Sequence, residues 1–277
     1  MSFIKKSANA ILGKKAFQGF FSKLHLFALY GLNYGRGGLV GVSGEENVLK
    51  ILDKSSVSKD PQLTIIDAGA NVGEYALSVQ KYITSNKQIF ALEPVKDTFA
   101  KLSANTQAHN SIIPLNVGLG KDTVEIEIFK NALESKHASL YQRNMDHWDN
   151  NLSLNQSEIV KILSFEEFVS SQNLTHIHLL KMDTEGHEFS ILQGATNWLK
   201  DQKIDLIQFE FGVCNVDSKV FFKDFYQLLN PNYAIFRILD DGFALVDKYS
   251  ERHEVFLTTN YLAVSKLFLA KNKSLFN

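Results

Sequence analysis

A single cysteine, Cys214, among 277 residues excludes an intrachain disulfide, and such sparing use fits a reducing compartment. Four prolines and no low-complexity tract argue against long disordered linkers. No apolar run approaches the roughly 20 residues that cross a bilayer. Lysines interrupt the N-terminal apolar segments, which excludes the clean hydrophobic region of a cleaved signal peptide. The expected location is the cytoplasm. Positive charge is not in excess either: the net charge is −1, so the usual basis for nucleic-acid binding is missing. Acid, in turn, is missing from the N-terminus. Lys5, Lys6, Lys14, Lys15, Lys23 and Arg36 all precede the first acidic residue, Glu45.

What is present is an ordinary globular balance, 45% hydrophobic and 21% charged. Phe17, Phe20, Leu24, Phe27 and Gly31 recur at spacings of three and four, the pattern of an amphipathic helix. The expected role of this helix is to pack on the main domain beside the active site; the alternative is to lie on an anionic membrane surface. Ser43 followed by Glu46 reads as a capping box for a second helix. Residues 1–58 therefore form a helical extension, and 59–277 the main domain.

From residue 63 strands and helices alternate. Strands are predicted over 63–67, 88–92 and 112–116, with helices between them carrying Ala76 and Val79, then Phe99 and Leu102, on their buried faces. Short connections imply right-handed crossovers and a parallel sheet. A half-exposed strand over 123–129 breaks the alternation, and the polar stretch 131–156 reads as a lid or substrate loop. Ser164 and Glu167 form a second capping pair. Further strands are predicted over 177–182, 205–209 and 261–265, a helix over 220–229, and a hairpin from 233–239 and 243–246 about the turn Asp240-Asp241-Gly242.

The stretch Ile65–Tyr75, IIDAGANVGEY, is a strand, a tight turn and a helix start, the usual seat of a nucleotide-like ligand in an α/β sheet. Asp67, Glu93, Asp183 and Glu210 all fall at predicted strand ends, and crowded carboxylates need a reason. The turn Gly69-Ala70-Asn71-Val72-Gly73 lacks the middle glycine of the dinucleotide fingerprint, and a pyrophosphate would be repelled by Asp67. This disfavours a nicotinamide oxidoreductase. A cationic or zwitterionic ligand such as S-adenosyl-L-methionine suits the acids, with Glu93 placed for the ribose hydroxyls.

IIDAGANVGEY (65–75), FALEPV (90–95), LNVGLG (115–120) and KMDTEGHE (181–188) together resemble the FkbM family of S-adenosylmethionine-dependent methyltransferases. The resemblance implies a class I, Rossmann-like α/β sandwich of three layers, with a seven-stranded sheet, mostly parallel with one antiparallel strand. It implies a cofactor site of Asp67, Gly69, Ala70, Asn71, Gly73, Glu93, Pro94, Asn116, Gly118, Ser139 and Asp183. The first turn would follow the methionine part, Glu93 would hold the ribose, and the backbone near Leu119 would meet the adenine.

Methyl transfer to a hydroxyl needs alignment and a base. Asp183 is the first candidate base, with Glu185, His187 and Glu210 on the same rim. Glu185 and Glu188 also suit a helix N-terminus electrostatically, and His187 also reads as a solvated cap residue. Asp183 with Glu185 or Glu210 would suit magnesium, but no spacing demands a metal. His176 and His178 share a strand face without a third ligand and read as structural. The resulting expectation is O-methylation of a sugar, polysaccharide or related acceptor. The alternative is a regulatory domain that binds the cofactor without catalysis.

Overall fold

The computed structural model describes residues 11–38, 43–130 and 156–276. Its strands in chain order are β1 (Leu63–Ala68), β2 (Lys87–Leu92), β3 (Ile112–Leu115), β4 (Gly118–Gly120), β5 (Val124–Lys130) and β6 (Gln156–Ser164). There follow β7 (Ile177–Met182), β8 (Ile204–Phe211), β9 (Tyr233–Ile238), β10 (Phe243–Leu245) and β11 (Thr259–Ser265). The helices are α1 (Gln18–Gly31), α2 (Glu45–Lys54), α3 (Glu74–Tyr82), α4 (Lys96–Thr106) and α5 (Phe165–Ser171). Then come α6 (Glu188–Gly194), α7 (Thr196–Lys200), α8 (Cys214–Ser218), α9 (Phe222–Leu229) and α10 (Lys266–Lys271).

The main sheet has the order β10-β9-β11-β8-β7-β1-β2-β3. β1 pairs in parallel with β2 and β7, and β7 with β8, while β11 runs antiparallel to β8 and β9. Seven strands with one antiparallel member are thus present, and the hairpin strand β10 adds an eighth at the edge. β1 and β7 are buried almost throughout, as expected of parallel strands covered on both faces. Side chains alternate between two cores. Ile66, Leu180 and Ile207 face one side with α5, α6, α7 and α9. Ile65, Leu179 and Leu206 face the other with α2, α3 and Phe268. That is the three-layer sandwich.

The N-terminal region departs from expectation. Val48, Leu49, Ile51 and Leu52 of α2 are buried in the same core as Ile65 and Ile89, so a boundary at residue 58 would divide a single core. The cap of α2 is Gly44 at φ +77°, where a Cβ would stand 1.9 Å from the Leu239 carbonyl oxygen. Ser43 instead donates to Glu45 Oε2 at 3.3 Å. Helix α1 buries no residue. The helix meets the main core through half-buried Leu29, and the chain after it is tied to the main sheet: Asn33 Nδ2 donates to the Ile238 carbonyl (2.9 Å) and Gly37 N to that of Thr258 (3.0 Å).

A second sheet, β4-β6-β5, stands apart from the first. β5 matches the predicted half-exposed strand, whereas β4 and β6 are additions. The second capping pair is present in part, as Ser164 Oγ accepts from Glu167 N at 3.2 Å. The expected lid at 131–156 lies, except for Gln156, outside the described residues. No helix among the described residues is long and apolar enough to cross a membrane.

Candidate active site

The sheet order reverses between β1 and β7, since β2 and β3 extend one way and β8 the other. A crevice opens beyond the carboxyl ends of strands at such a switch point. The chain leaving β1 enters it under tight constraint. Gly69 N and Ala70 N both donate to the Leu92 carbonyl (3.0 and 2.9 Å), and Asp183 N donates to that of Ala68 (3.0 Å). Gly69 adopts φ +78°, and a Cβ there would fall 1.9 Å from the Asp183 carbonyl oxygen. Only glycine fits.

Glu93 closes the next side of the crevice. Its carboxylate accepts from Asn71 N (3.0 Å) and Val95 N (2.9 Å). Asn116 Nδ2 braces the same corner by donating to the carbonyls of Glu93 and Pro94 (2.9 and 3.0 Å). A carboxylate offers about four lone-pair sites, so two remain for donors from a ligand. Among the described residues the buried side-chain Oδ1 of Asn71 accepts no hydrogen bond, which makes it a second acceptor for a ligand donor.

The cavity encloses about 690 Å³ of empty space, the open solvent at its mouth included. Gly69, Asn71, Glu93, Asp183 and Thr184 form its polar half. Pro94, Val95, Leu119, Ile128 and Ile162 make an apolar wall beside Gly118, a surface for a flat ring. Leu119, Ile128 and Ile162 belong to the small sheet, which therefore supplies three of the five wall residues. Burial alternates along β6, with Val160 and Ile162 inside, but the exposed Ile159 on the outer face hides that period in the sequence.

Burial pushes the Glu93 carboxyl up to about 7. Two hydroxyl donors favour its ionised form, so ligand binding should require loss of that proton. Affinity for S-adenosylhomocysteine is expected to fall about tenfold per pH unit below that point. Calorimetry between about pH 8 and pH 6 checks this, and Glu93→Gln should flatten the profile.

The rim is built by the turn after β7, where Glu185 (φ +54°) and Gly186 (φ +103°) take left-handed backbone. Glu188 holds that turn, accepting from Thr184 N (2.6 Å), Thr184 Oγ1 (3.0 Å) and Gly186 N (3.1 Å). It is buried, which raises its pKa to about 7. Glu188 is thus an internal cap rather than a solvated helix-start acid. Glu188→Ala should cost about 1–3 kcal/mol for each donor left unpaired, read as a lower urea midpoint.

Asp183, Glu185 and His187 line the cavity; Glu210 does not. Burial pushes Glu210 well above the ordinary carboxyl range, and the charges of Asp183 and Glu185 add to it. Burial lowers His187 to about 4, and its Nδ1 has no hydrogen-bond partner among the described residues. A neutral ring with so little proton affinity is a wall of the site, not a solvated cap and not an effective base at neutral pH.

Several residues expected against the cofactor stand elsewhere. Asp67 is fully buried behind the turn and does not line the cavity. It pairs with Lys181 Nζ at 3.3 Å, and the same ammonium reaches Asp183 Oδ2 at 3.5 Å. Burial would lower Lys181, but Asp67, Asp183 and Glu45 hold it above its ordinary range. Tyr75 covers this pair, with Lys181 Nζ 5.2 Å from its ring centroid, and its hydroxyl donates to Gln208 Oε1 (2.9 Å). Gln208 Nε2 in turn donates to Glu45 Oε1 (2.6 Å). Lys181, Tyr75, Gln208 and Glu45 were not singled out in the sequence reading, because only the sheet brings them together. Ala70 and Gly73 shape the turn from within, and Asn116 acts through backbone carbonyls; none of the three lines the cavity. Ser139 lies outside the described residues.

His176, His178 and Asp205 approach one another closely enough to resemble a metal centre. The hydrogen bonds oppose it. His178 Nδ1 accepts from Thr64 N (2.9 Å), so Nε2 carries the proton and donates to Asp60 (3.1 Å). A metal-binding histidine has the reverse arrangement, its second nitrogen donating.

The family model of the methyltransferase FkbM domain matches residues 67–238. The hexuronic acid methyltransferase AglP of Haloferax volcanii is 31% identical over 172 residues, 61% of this chain and 64% of that one. Methyltransferase 1 of Beauveria bassiana is 30% identical over 157 residues, 52% and 61% of the two chains. The chain therefore spans a little under two thirds of the length of these curated relatives. Methyltransferase FkbM of Methylobacillus flagellatus superposes with a TM-score of 0.45 at 14% identity, over 73% of this chain and 44% of that structure. With the family model covering well over half of its length, the chain belongs to the FkbM methyltransferase domain family.

Proposed function

We propose that this protein is an S-adenosyl-L-methionine-dependent O-methyltransferase acting on a hydroxyl of a sugar-like acceptor. The carrying observation is that the turn of Gly69, after β1, and Glu93, after β2, line one cavity at the switch point. Gly69 lets the turn after β1 pack against the Asp183 carbonyl and line the cavity, and Glu93 keeps two acceptor positions for a diol. The acids around the mouth suit a cationic ligand and oppose a pyrophosphate. The cofactor supplies a methyl group on an electrophilic sulfonium.

The chain's own residues then have two tasks. Asn71, Glu93 and the apolar wall hold the cofactor in one orientation, from which alignment contributes to rate. Asp183, half-exposed at the rim and steadied by Lys181, orients the acceptor hydroxyl and takes its proton. The acidic rim repels an acceptor carboxylate, so a hydroxyl is the favoured nucleophile even on an acidic sugar. The name of the Haloferax volcanii relative supports a sugar acid as acceptor class.

The test is mass spectrometry of neutral sugars and hexuronic acids incubated with methyl-labelled cofactor. An alkali-stable methyl ether is expected; an alkali-labile ester would make the carboxylate the nucleophile and overturn the hydroxyl assignment. Asp183→Asn should lower turnover by about 10²–10⁴-fold while changing cofactor affinity only a few-fold. Unchanged turnover would remove Asp183 from the chemistry.

A further inference from the structure

Helix α1 carries a contiguous apolar face that the fold leaves bare. At 100° per residue, Phe27, Phe20, Leu24, Phe17, Ala28 and Phe21 fall within an arc of about 120°. Phe27 is 75% exposed, Phe20 60% and Leu24 47%. The helix touches the body elsewhere: Leu29 packs on the main core, Leu29 O accepts from Tyr34 N at 2.9 Å, and Tyr34 is buried beneath the Arg237 guanidinium. Leu29 lies about 140° round the helix from Leu24. The anchored side and the apolar side are therefore nearly opposite, so the body cannot cover the phenylalanines without releasing Leu29.

The charge around this face has one sign. Lys14, Lys15 and Lys23 are exposed beside it, Lys5 and Lys6 precede it, and no acid occurs before Glu45. An exposed apolar arc whose charged neighbours along the chain are all cations matches a surface that is apolar inside and anionic at its boundary. We propose that α1 docks this protein on an anionic bilayer surface, the phenylalanines entering the acyl boundary and the lysines meeting the headgroups. A second copy of the chain would present the same cations and so repel the first across this face.

The test is flotation of the full chain with vesicles of phosphatidylcholine alone or mixed with phosphatidylglycerol. Recovery with the anionic vesicles should exceed that with neutral ones at least about tenfold, and about 0.5 M salt should remove the difference by screening. Phe20→Glu with Phe27→Glu should reduce recovery by a similar factor. Both side chains lie outside the cores, so the melting temperature should hold. Lys14→Glu with Lys15→Glu should weaken anionic binding selectively. Equal recovery on neutral and anionic vesicles, or none on either, overturns the proposal. So does a dimer in light scattering that Phe20→Glu with Phe27→Glu dissolves while vesicles recover no protein.

Discussion

Gly69→Val is expected to abolish cofactor binding, with at least about a hundredfold loss of affinity for S-adenosylhomocysteine by calorimetry. The backbone there is left-handed, φ +78°, which disfavours a side chain before any contact is considered. The contact is worse: a Cβ would lie 1.9 Å from the Asp183 carbonyl oxygen. That oxygen cannot retreat alone, because Asp183 N is bonded to the Ala68 carbonyl in the ladder between β1 and β7. Relief must separate the two turns that form the floor of the site. Gly69→Ala should show the same effect in smaller measure, and Gly38→Ala, where nothing lies within 4 Å, is the matched control. Wild-type affinity in Gly69→Val would mean that the ligand does not use this turn.

Lys181→Met is expected to destabilise the fold by about 3–5 kcal/mol, the usual cost of removing one partner from a buried ion pair. Asp67 is fully buried, and neither oxygen accepts a well-formed hydrogen bond among the described residues. The ammonium at 3.3 Å is what compensates its charge. Without it burial would raise Asp67 further above its ordinary range, and the carboxyl would take up a proton. Asp67→Asn combined with Lys181→Met should recover much of the loss, because no buried charge then remains. Urea denaturation of both singles and the double measures the coupling. Additive losses would show that the pair is not the source of the stability.

The parallel strands were legible because burial on both faces writes continuous apolar runs, as in Ile65-Ile66 and Leu179-Leu180. The turn of Gly69 was legible because its residues are consecutive. β6 is hard to read from sequence because the exposed Ile159 breaks its period-two pattern, and its partner β5 lies across a polar stretch. Asp67 was placed against the cofactor because position at a strand end does not tell which way a side chain points. Its buried partner, Lys181, lies 114 residues further along the chain, and a lysine inside a strand reads as a solvated residue until the sheet is assembled.

The alternating α/β order, the phosphate-averse turn, the acidic strand ends and the one-signed N-terminus can all be read from near neighbours in the chain. Which acids face the cavity, which are locked to Lys181, and that the small sheet supplies most of the apolar wall became visible only in the assembled fold. So did the fact that α1 shows its phenylalanines to solvent instead of shielding the site. These outcomes depend on register and on what packs against what, and burial is a property of distant contacts that local periodicity does not encode.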